Sequence, residues 1–333
     1  MKICYIMGRH ISFQRAGQAY MDILAAAGVT LVPEPNDADI VIIHDEPLAL
    51  LDYFRAYPEI RKKYIIAYSV WEPSILNADR RRWLSMVSEV WTPSSFAAHI
   101  FSELAIPVTV IPHVVAPPRA TAEDEALMRR RLGLADGTFI FYTIARWEPR
   151  KNLEAAVKAF EAAFPSKEAC YVIKTNGPVP ADLASRSGIV CINEHISDAS
   201  LAALHGVGHC CVSAHCAEAW GLCLSEAMAL GNLVVATGYS GNMEFMDSRS
   251  ALLVDFNLEP IRETTTRLAF GFPATSAQAQ WAYVDEAHLA RTLRRAYDDW
   301  DSLAGMRAQA QDAVRPFAAD LVARRMLQRL EEI

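Results

Sequence analysis

No apolar run in this chain approaches the roughly 20 residues that a helix needs to cross a bilayer, so no membrane span is expected. The opening MKICYIMGRH is too short and too quickly charged to read as a secretory signal. A cytoplasmic location is therefore expected, with weak peripheral membrane association left open. Positive charge is the minority sign: 32 Lys and Arg against 39 Asp and Glu give a net charge of −7, which argues against nucleic acid as a partner. The basic runs that exist, Arg61-Lys62-Lys63, Arg80-Arg81-Arg82 and Arg129-Arg130-Arg131, read as solvated helix faces. No Gly-x-Gly-x-x-Gly follows a strand-like run, so a dinucleotide oxidoreductase is not supported. There is no internal repeat and no low-complexity tract.

Cysteine pairs at metal or redox spacing are also missing. The seven cysteines, an odd number, sit mostly in apolar strand-like runs (Cys4, Cys170, Cys191, Cys210, Cys211). Buried thiols in a reducing compartment fit this better than a disulfide framework. His205, His209, Cys210, Cys211, His215 and Cys216 fall within twelve residues. They contain no Cys-x-x-Cys, and adjacent Cys210 and Cys211 would point to opposite faces of a strand. We read them as core cysteines beside incidental histidines, and expect no metal site. Asp37-Ala38-Asp39 has Asp-x-Asp spacing but lies at the entry to a strand, where a solvated turn is the simpler reading.

What is present is a long, apolar chain. Its 333 residues exceed one average domain, and 52% hydrophobic against 21% charged residues indicates large cores. Short β-rich runs alternate with amphipathic stretches, the pattern of parallel α/β architecture. Strands are expected at 2–7, 39–44, 64–69, 89–91 and 108–111, with helices at 15–27, 75–87 and 94–104. The alternation breaks at PHVVAPP (112–118), the expected linker, and a charged helix over 121–131 follows. It then resumes with strands at 139–145, 170–174, 189–192, 208–213, 233–236 and 252–254. Helices are expected at 152–164, 198–204, 221–230, 286–300, 303–314 and 316–330. The expected domains are 1–117 and 118–314, with a C-terminal helix in 315–333.

Two segments carry chemistry. In Glu218-Ala-Trp-Gly-Leu-Cys-Leu-Ser-Glu226 an apolar strand runs to about Ser213, a loop carries Glu218, and a helix begins near Gly221 with Glu226 inside it. A helix N-terminus offers unpaired N–H groups and a positive dipole end, which suit a phosphate. The two carboxylates can accept hydrogen bonds from hydroxyls. An anion seat beside hydroxyl acceptors describes a sugar nucleotide. The second segment, YTIARWEPRKNLEAAVKAF, puts Arg146 and Lys151 on a strand-to-helix loop, where both can reach one anion. Arg150 competes with Lys151 for the second role.

The string EAWGLCLSEAMALGNLVVAT, with its two glutamates, resembles the E-x7-E motif of retaining glycosyltransferases of family 4. The basic loop, INEHISDASL, GYSGNMEFM and WAYVDEAHLA are similar to further segments of that family. The resemblance covers the second domain and, thinly, the first. It implies an α/β chain of the GT-B fold: two Rossmann-like parallel-sheet domains facing across a cleft, with the last helix crossing back to the first. The implied reaction moves a hexose from a nucleoside diphosphate sugar to a hydroxyl of a carbohydrate or lipid-linked sugar acceptor. It gives an α-linkage in bacterial glycan or glycolipid assembly, without metal or other cofactor.

By the same resemblance Arg146 and Lys151 hold the diphosphate, Glu218 contacts sugar hydroxyls and Glu226 the ribose. Backbone N–H groups near Gly221 and Leu222 meet the distal phosphate, and Ile196 covers the base. Asp198 either borders the base or caps the next helix. Gly238, Ser240 and Gly241 form a loop of the kind that approaches a ligand, or simply a tight turn. In the first domain Ser69 stands about where many members carry a histidine, and the N-terminal glycine loop is changed to GRHISFQRAG. Trp71 and Glu72 then either stack on and hydrogen-bond a sugar or pack between domains, and His113 faces the cleft or is structural. The rival readings are another GT-B enzyme, an epimerase or phosphorylase, and a non-catalytic binding subunit of that fold.

Overall fold

The computed structural model describes residues 1–333. Packing divides them into two units: Met1–Val114 with Pro260–Gln280 and Pro316–Ile333, and Val115–Glu259 with Trp281–Arg315. The first unit contains, in order, β1 (Lys2–Met7), α1 (Ile11–Ala26), β2 (Thr30–Leu31), β3 (Ile40–His44), α2 (Leu50–Ala56), β4 (Tyr64–Tyr68), α3 (Ala78–Leu84), β5 (Glu89–Thr92), α4 (Ser95–Phe101) and β6 (Val108–Val110). The strands form one sheet, order β2-β1-β3-β4-β5-β6, parallel throughout. β3, Ile-Val-Ile-Ile-His, is buried along its whole length, as a central parallel strand must be. Ser94 caps α4, its side chain accepting the Ala97 N–H. α1 starts at Ile11, earlier than the apolar spacing predicts, with His10 as its cap. α2 has no sequence signal strong enough to be expected.

The second unit opens with α5 (Ala122–Leu132), closed at its N-terminus by a Thr121–Asp124 capping box. Next come β7 (Phe139–Ile144), α6 (Leu153–Ala163), β8 (Ala169–Thr175), β9 (Ile189–Asn193), α7 (Asp198–Val207), β10 (Cys210–Ser213), α8 (Leu222–Ala229), β11 (Leu233–Thr237) and β12 (Leu252–Val254). This sheet runs β12-β11-β10-β7-β8-β9 and is again parallel. Its core gathers Phe141, Phe160, Tyr171 and Val212. No helix in the chain is long and apolar enough to cross a membrane.

The region after β12 corrects the uninterrupted 118–314 segment. β13 (Phe256–Pro260) pairs with β14 (Gln280–Val284), and α9 (Thr264–Ala269) lies between them. None of the three is expected from sequence; in α9, Thr-Thr-Thr-Arg-Leu-Ala buries no residue and shows no apolar period. Residues 260–280 belong to the first unit. There the Asn77 side chain and Arg80 (2.8 Å) both donate to the Phe270 carbonyl. α10 (Glu286–Asp298) and α11 (Ala304–Val314) return to the second unit.

α12 (Ala319–Glu331) joins the first, where Val322, Met326 and Leu330 enter the core beneath β1, β3 and β4. Arg329 fixes it there, donating to both carboxylate oxygens of fully buried Glu89 at 2.9 Å. Burial pushes the Glu89 carboxyl up, but Arg329, Thr109 and Trp91 outweigh this and hold it below its ordinary value. Removing one partner of a buried pair strands the other charge. Arg329→Leu is therefore expected to destabilise the chain by about 3–5 kcal/mol in denaturant unfolding.

Candidate active site

β11, β10 and β7 are neighbours, so the loops leaving their C-terminal ends meet at the edge where open α/β sheets bind ligands. Backbone bonds strap these loops together. Cys216 donates to the Arg150 carbonyl at 2.7 Å, and its own carbonyl accepts from Ala282 at 2.9 Å. Gly241 donates to the Glu218 carbonyl at 2.8 Å, and the Glu218 N–H donates to Ser240 Oγ at 2.8 Å. A Cβ on residue 241 would lie 2.0 Å from the Ala219 carbonyl oxygen, so only glycine allows this approach.

Ser240 has φ 77° and ψ −150°, a region essentially reserved for glycine and worth about 1–3 kcal/mol of strain. A serine persists there because its hydroxyl anchors the Glu218 backbone. Ser240→Gly is expected to raise the melting temperature or leave it unchanged while lowering turnover, since strain is relieved and the anchor lost. A fall in both would show the hydroxyl bond to outweigh the strain.

Glu218 is the electrostatic centre of this edge. Its side chain is 10% exposed and pairs with the Lys151 ammonium and, at 3.1 Å, with the Arg150 guanidinium. Burial pushes its carboxyl up, but Lys151, Arg150 and His215 pull harder, leaving it at about 2. Arg150 is a strut: it also donates to the Ala217 carbonyl at 3.0 Å and to Glu148 at 3.1 Å. His215 is fully buried. Its Nε2 faces the Tyr239 carbonyl at 3.3 Å and Asn242 Oδ1 at 3.0 Å, and its Nδ1 meets Ser213 Oγ at 2.9 Å. Two acceptors at Nε2 require the proton there, so Ser213 donates to Nδ1. Burial, the largest influence, lowers the His215 value against the opposing pull of Glu218.

α8 starts at Leu222, with Gly221 as N-cap at φ 97° and no capping side chain. The Leu224 and Ser225 N–H groups turn back to the Gly221 carbonyl at 3.0 and 3.1 Å, and the positive end of the helix dipole lies at the Gly221 corner. The Trp220 indole donates to Ser225 Oγ at 3.1 Å and holds the corner. One turn on, Glu226 Oε2 lies 3.8 Å from His205 Nε2. The two glutamates therefore stand at opposite ends of the same loop-and-turn segment with different partners.

The remaining sequence candidates divide. Arg146 follows β7, is exposed and has no protein partner; it is not drawn into the Glu218 pair, which takes Lys151 and Arg150 instead. Ile196 is half-buried ahead of α7, and Asp198 is that helix's first residue. Ser197 supplies the cap, accepting the Ser200 N–H at 3.2 Å, so the capping alternative for Asp198 is corrected.

Trp71 is also corrected as a sugar platform. It is 1% exposed and its indole N–H donates to the Ile75 carbonyl at 2.8 Å. Arg80 covers its ring at 4.5 Å and Phe270 meets it edge-on at 5.5 Å. Glu72 is half-buried nearby and helps offset the burial that lowers the Arg80 value. His113 is buried, its Nδ1 2.8 Å from the Tyr20 hydroxyl, and burial lowers it to about 3. In the Cys/His stretch the cysteines are free thiols, and His209 Nδ1 accepts the Ile140 N–H at 3.0 Å.

One cluster in the first unit lies outside every sequence motif. His44, Ser69 and Thr92 end or follow three adjacent strands, β3, β4 and β5, and each keeps a buried polar atom without a partner. Buried polar atoms are rarely left so. The sequence singles out only Ser69.

Residues 138–269 match the model of a family described as Glycosyl transferases group 1. That stretch opens on β7 and includes all three strapped loops. No curated protein matches the chain. The fold is GT-B. Over 100% of both chains it is similar to the Anabaena protein HepE, solved in complex with UDP and glucose, with 15% identity and a TM-score of 0.72. Sucrose-phosphate synthase from Thermosynechococcus elongatus is 15% identical over 100% of this chain and 98% of that one, TM-score 0.71. A UDP-forming α,α-trehalose-phosphate synthase from Burkholderia xenovorans is 13% identical over 98% and 80%, TM-score 0.65.

Proposed function

We propose that this chain is a retaining glycosyltransferase that moves a hexose from a nucleoside diphosphate sugar to a hydroxyl of a carbohydrate or lipid-linked sugar, giving an α-linkage. The observation that carries this reading is the Glu218–Lys151–Arg150 cluster, on loops strapped to the approach to α8, with Arg146 exposed on the same β7 loop. Cleavage of the anomeric carbon–phosphate bond concentrates negative charge on the departing diphosphate. Fixed cations and a helix N-terminus aimed at that charge lower the barrier. Arg146, Lys151 and the N–H groups near Gly221 and Leu222 take this role. When the donor enters, Lys151 turns from Glu218 to phosphate, and the released carboxylate accepts hydrogen bonds from sugar hydroxyls. Glu226 accepts those of the ribose, and Ile196 and Asp198 border the base. The acceptor proton passes to the leaving phosphate oxygen on the face it departs from.

Uridine diphosphate sugars are the first donors to test, because HepE was solved with UDP and the trehalose-phosphate synthase forms it. Thermal shift against uridine, guanosine, adenosine and thymidine diphosphates with their sugars tests the reading. A ligand at one hundred times its Kd stabilises by about 2.7 kcal/mol, and no shift with any of them counts against a donor site. Because side chains replace a cation at the diphosphate, EDTA should leave turnover unchanged; loss restored by Mg²⁺ or Mn²⁺ would refute that.

A further inference from the structure

His205 has no role in the chemistry above, yet it is the buried neighbour of Glu226. It sits in the last turn of α7, 3% exposed, with Nδ1 2.7 Å from the Tyr142 hydroxyl and Nε2 3.8 Å from Glu226 Oε2. The Tyr142 ring stands nearly perpendicular to the imidazole, at 89°. Burial holds that phenol protonated, well above its ordinary value. Two tautomers must be weighed. If Nδ1 carried the only proton, a bare Nε2 lone pair would face a carboxylate oxygen and repel it. If the Tyr142 O–H donates to Nδ1, Nε2 carries the proton and turns its N–H dipole towards Glu226, 3.8 Å away and beyond direct hydrogen-bond distance. The second arrangement is the attractive one.

The backbone around this pair is fixed as well. Asn232, just past α8, donates through its side chain to the carbonyls of His205 at 2.8 Å and Gly208 at 2.7 Å. Its own N–H donates to Ala227 at 3.0 Å, so the ends of α7 and α8 are clamped together. Gly208 is needed for Tyr142 to reach its place: a Cβ there would lie 2.4 Å from the tyrosine ring.

We propose that His205, oriented by Tyr142, is a positioning residue that sets the Glu226 carboxylate to meet ribose hydroxyls. This rests on the reading of Glu226 as the ribose contact. A carboxylate aimed by a fixed N–H keeps its outer oxygen in one attitude, whereas an unaimed one must be ordered by the ligand itself.

The distinguishing readout is discrimination against a missing hydroxyl, which a merely structural histidine would not move. UDP and 2′-deoxy-UDP are titrated calorimetrically into wild type, H205L, H205Q, Y142F, E226Q and the H205L/E226Q double variant. Wild type should prefer UDP by about tenfold, the scale of one hydrogen bond to a charged group. H205L and E226Q should each reduce that preference towards one while deoxy-UDP affinity holds, and the double variant should lose nothing further. H205Q, which keeps an N–H near the Nε2 position, should retain most of the preference, and Y142F should lose part of it. If E226Q loses the preference while H205L and Y142F keep it, the inference is overturned and the ribose reading stands. If E226Q itself keeps the preference, the ribose reading fails and the inference fails with it. Should H205L not fold, Y142F decides: a wild-type preference in that variant overturns the proposal.

Discussion

Glu218→Gln is expected to lower kcat by about 10²–10³-fold, the range for loss of one charge-placing group, with nucleoside diphosphate affinity near wild type. The amide keeps the shape of the side chain but cannot hold Lys151 and Arg150 or orient sugar hydroxyls as a carboxylate does. An interaction made with the sugar as the bond breaks appears in kcat, whereas one made equally before and after appears in KM. Unchanged kcat with weakened nucleotide binding would reverse the assigned roles of the two glutamates.

The same substitution has a pH signature. Glu218 is held at about 2, against an ordinary 4.5, by Lys151, Arg150 and His215 in spite of burial. A depressed folded-state value stabilises above the unfolded value and is lost as pH falls through the folded one. The stability advantage of wild type over Glu218→Gln should therefore contain about 3 kcal/mol that is present above pH 4.5 and nearly gone at pH 2. Denaturant unfolding of both proteins across that window reads it, and a pH-independent difference would contradict the ion cluster.

Lys151→Ala and Arg146→Ala should each slow transfer by roughly 10²-fold or more. The two act differently before the donor arrives. Lys151 holds Glu218, whereas Arg146 is exposed and unpaired. Lys151→Ala should therefore lower stability as well as rate, and Arg146→Ala should lower rate with little change in melting temperature. Arg150, tied to Ala217 and Glu148 as well as Glu218, should report mainly in stability. Steady-state rates beside thermal melts separate the three; wild-type turnover in both Arg146→Ala and Lys151→Ala would remove the diphosphate assignment.

Much of this arrangement is legible before any coordinates. The continuous apolar runs at 40–43 and 233–236 are short, rich in Val, Ile and Leu, and polar at neither face, which marks buried parallel strands. Thr121 and Ser94 announce helix starts by their capping chemistry. The helix beginning after Gly221 follows from a glycine corner ahead of an apolar stretch. Other features depend on tertiary partners that sequence spacing does not encode. The 260–280 excursion is held by Asn77 and Arg80, far away in the chain, so its own residues carry no periodic signal. Trp71 at a strand end reads equally as a sugar platform or as a packing residue until Arg80 and Phe270 are seen to enclose it. Arg150 and Lys151 are indistinguishable in a loop, and the bonds to the Ala217 carbonyl and Glu148 make one a strut. Ser240 gives no hint of its backbone strain, because serine is an ordinary turn residue.

The central claim is that the C-terminal edge of the second sheet is a nucleotide-sugar donor site. Calorimetric titration of wild type and Glu226→Ala with UDP, and with GDP, ADP and TDP as alternatives, tests it most directly. One of these should bind wild type, and bind Glu226→Ala at least tenfold more weakly, both proteins melting at similar temperatures. Absence of binding by all four to wild type, or equal affinity for both proteins, would contradict it.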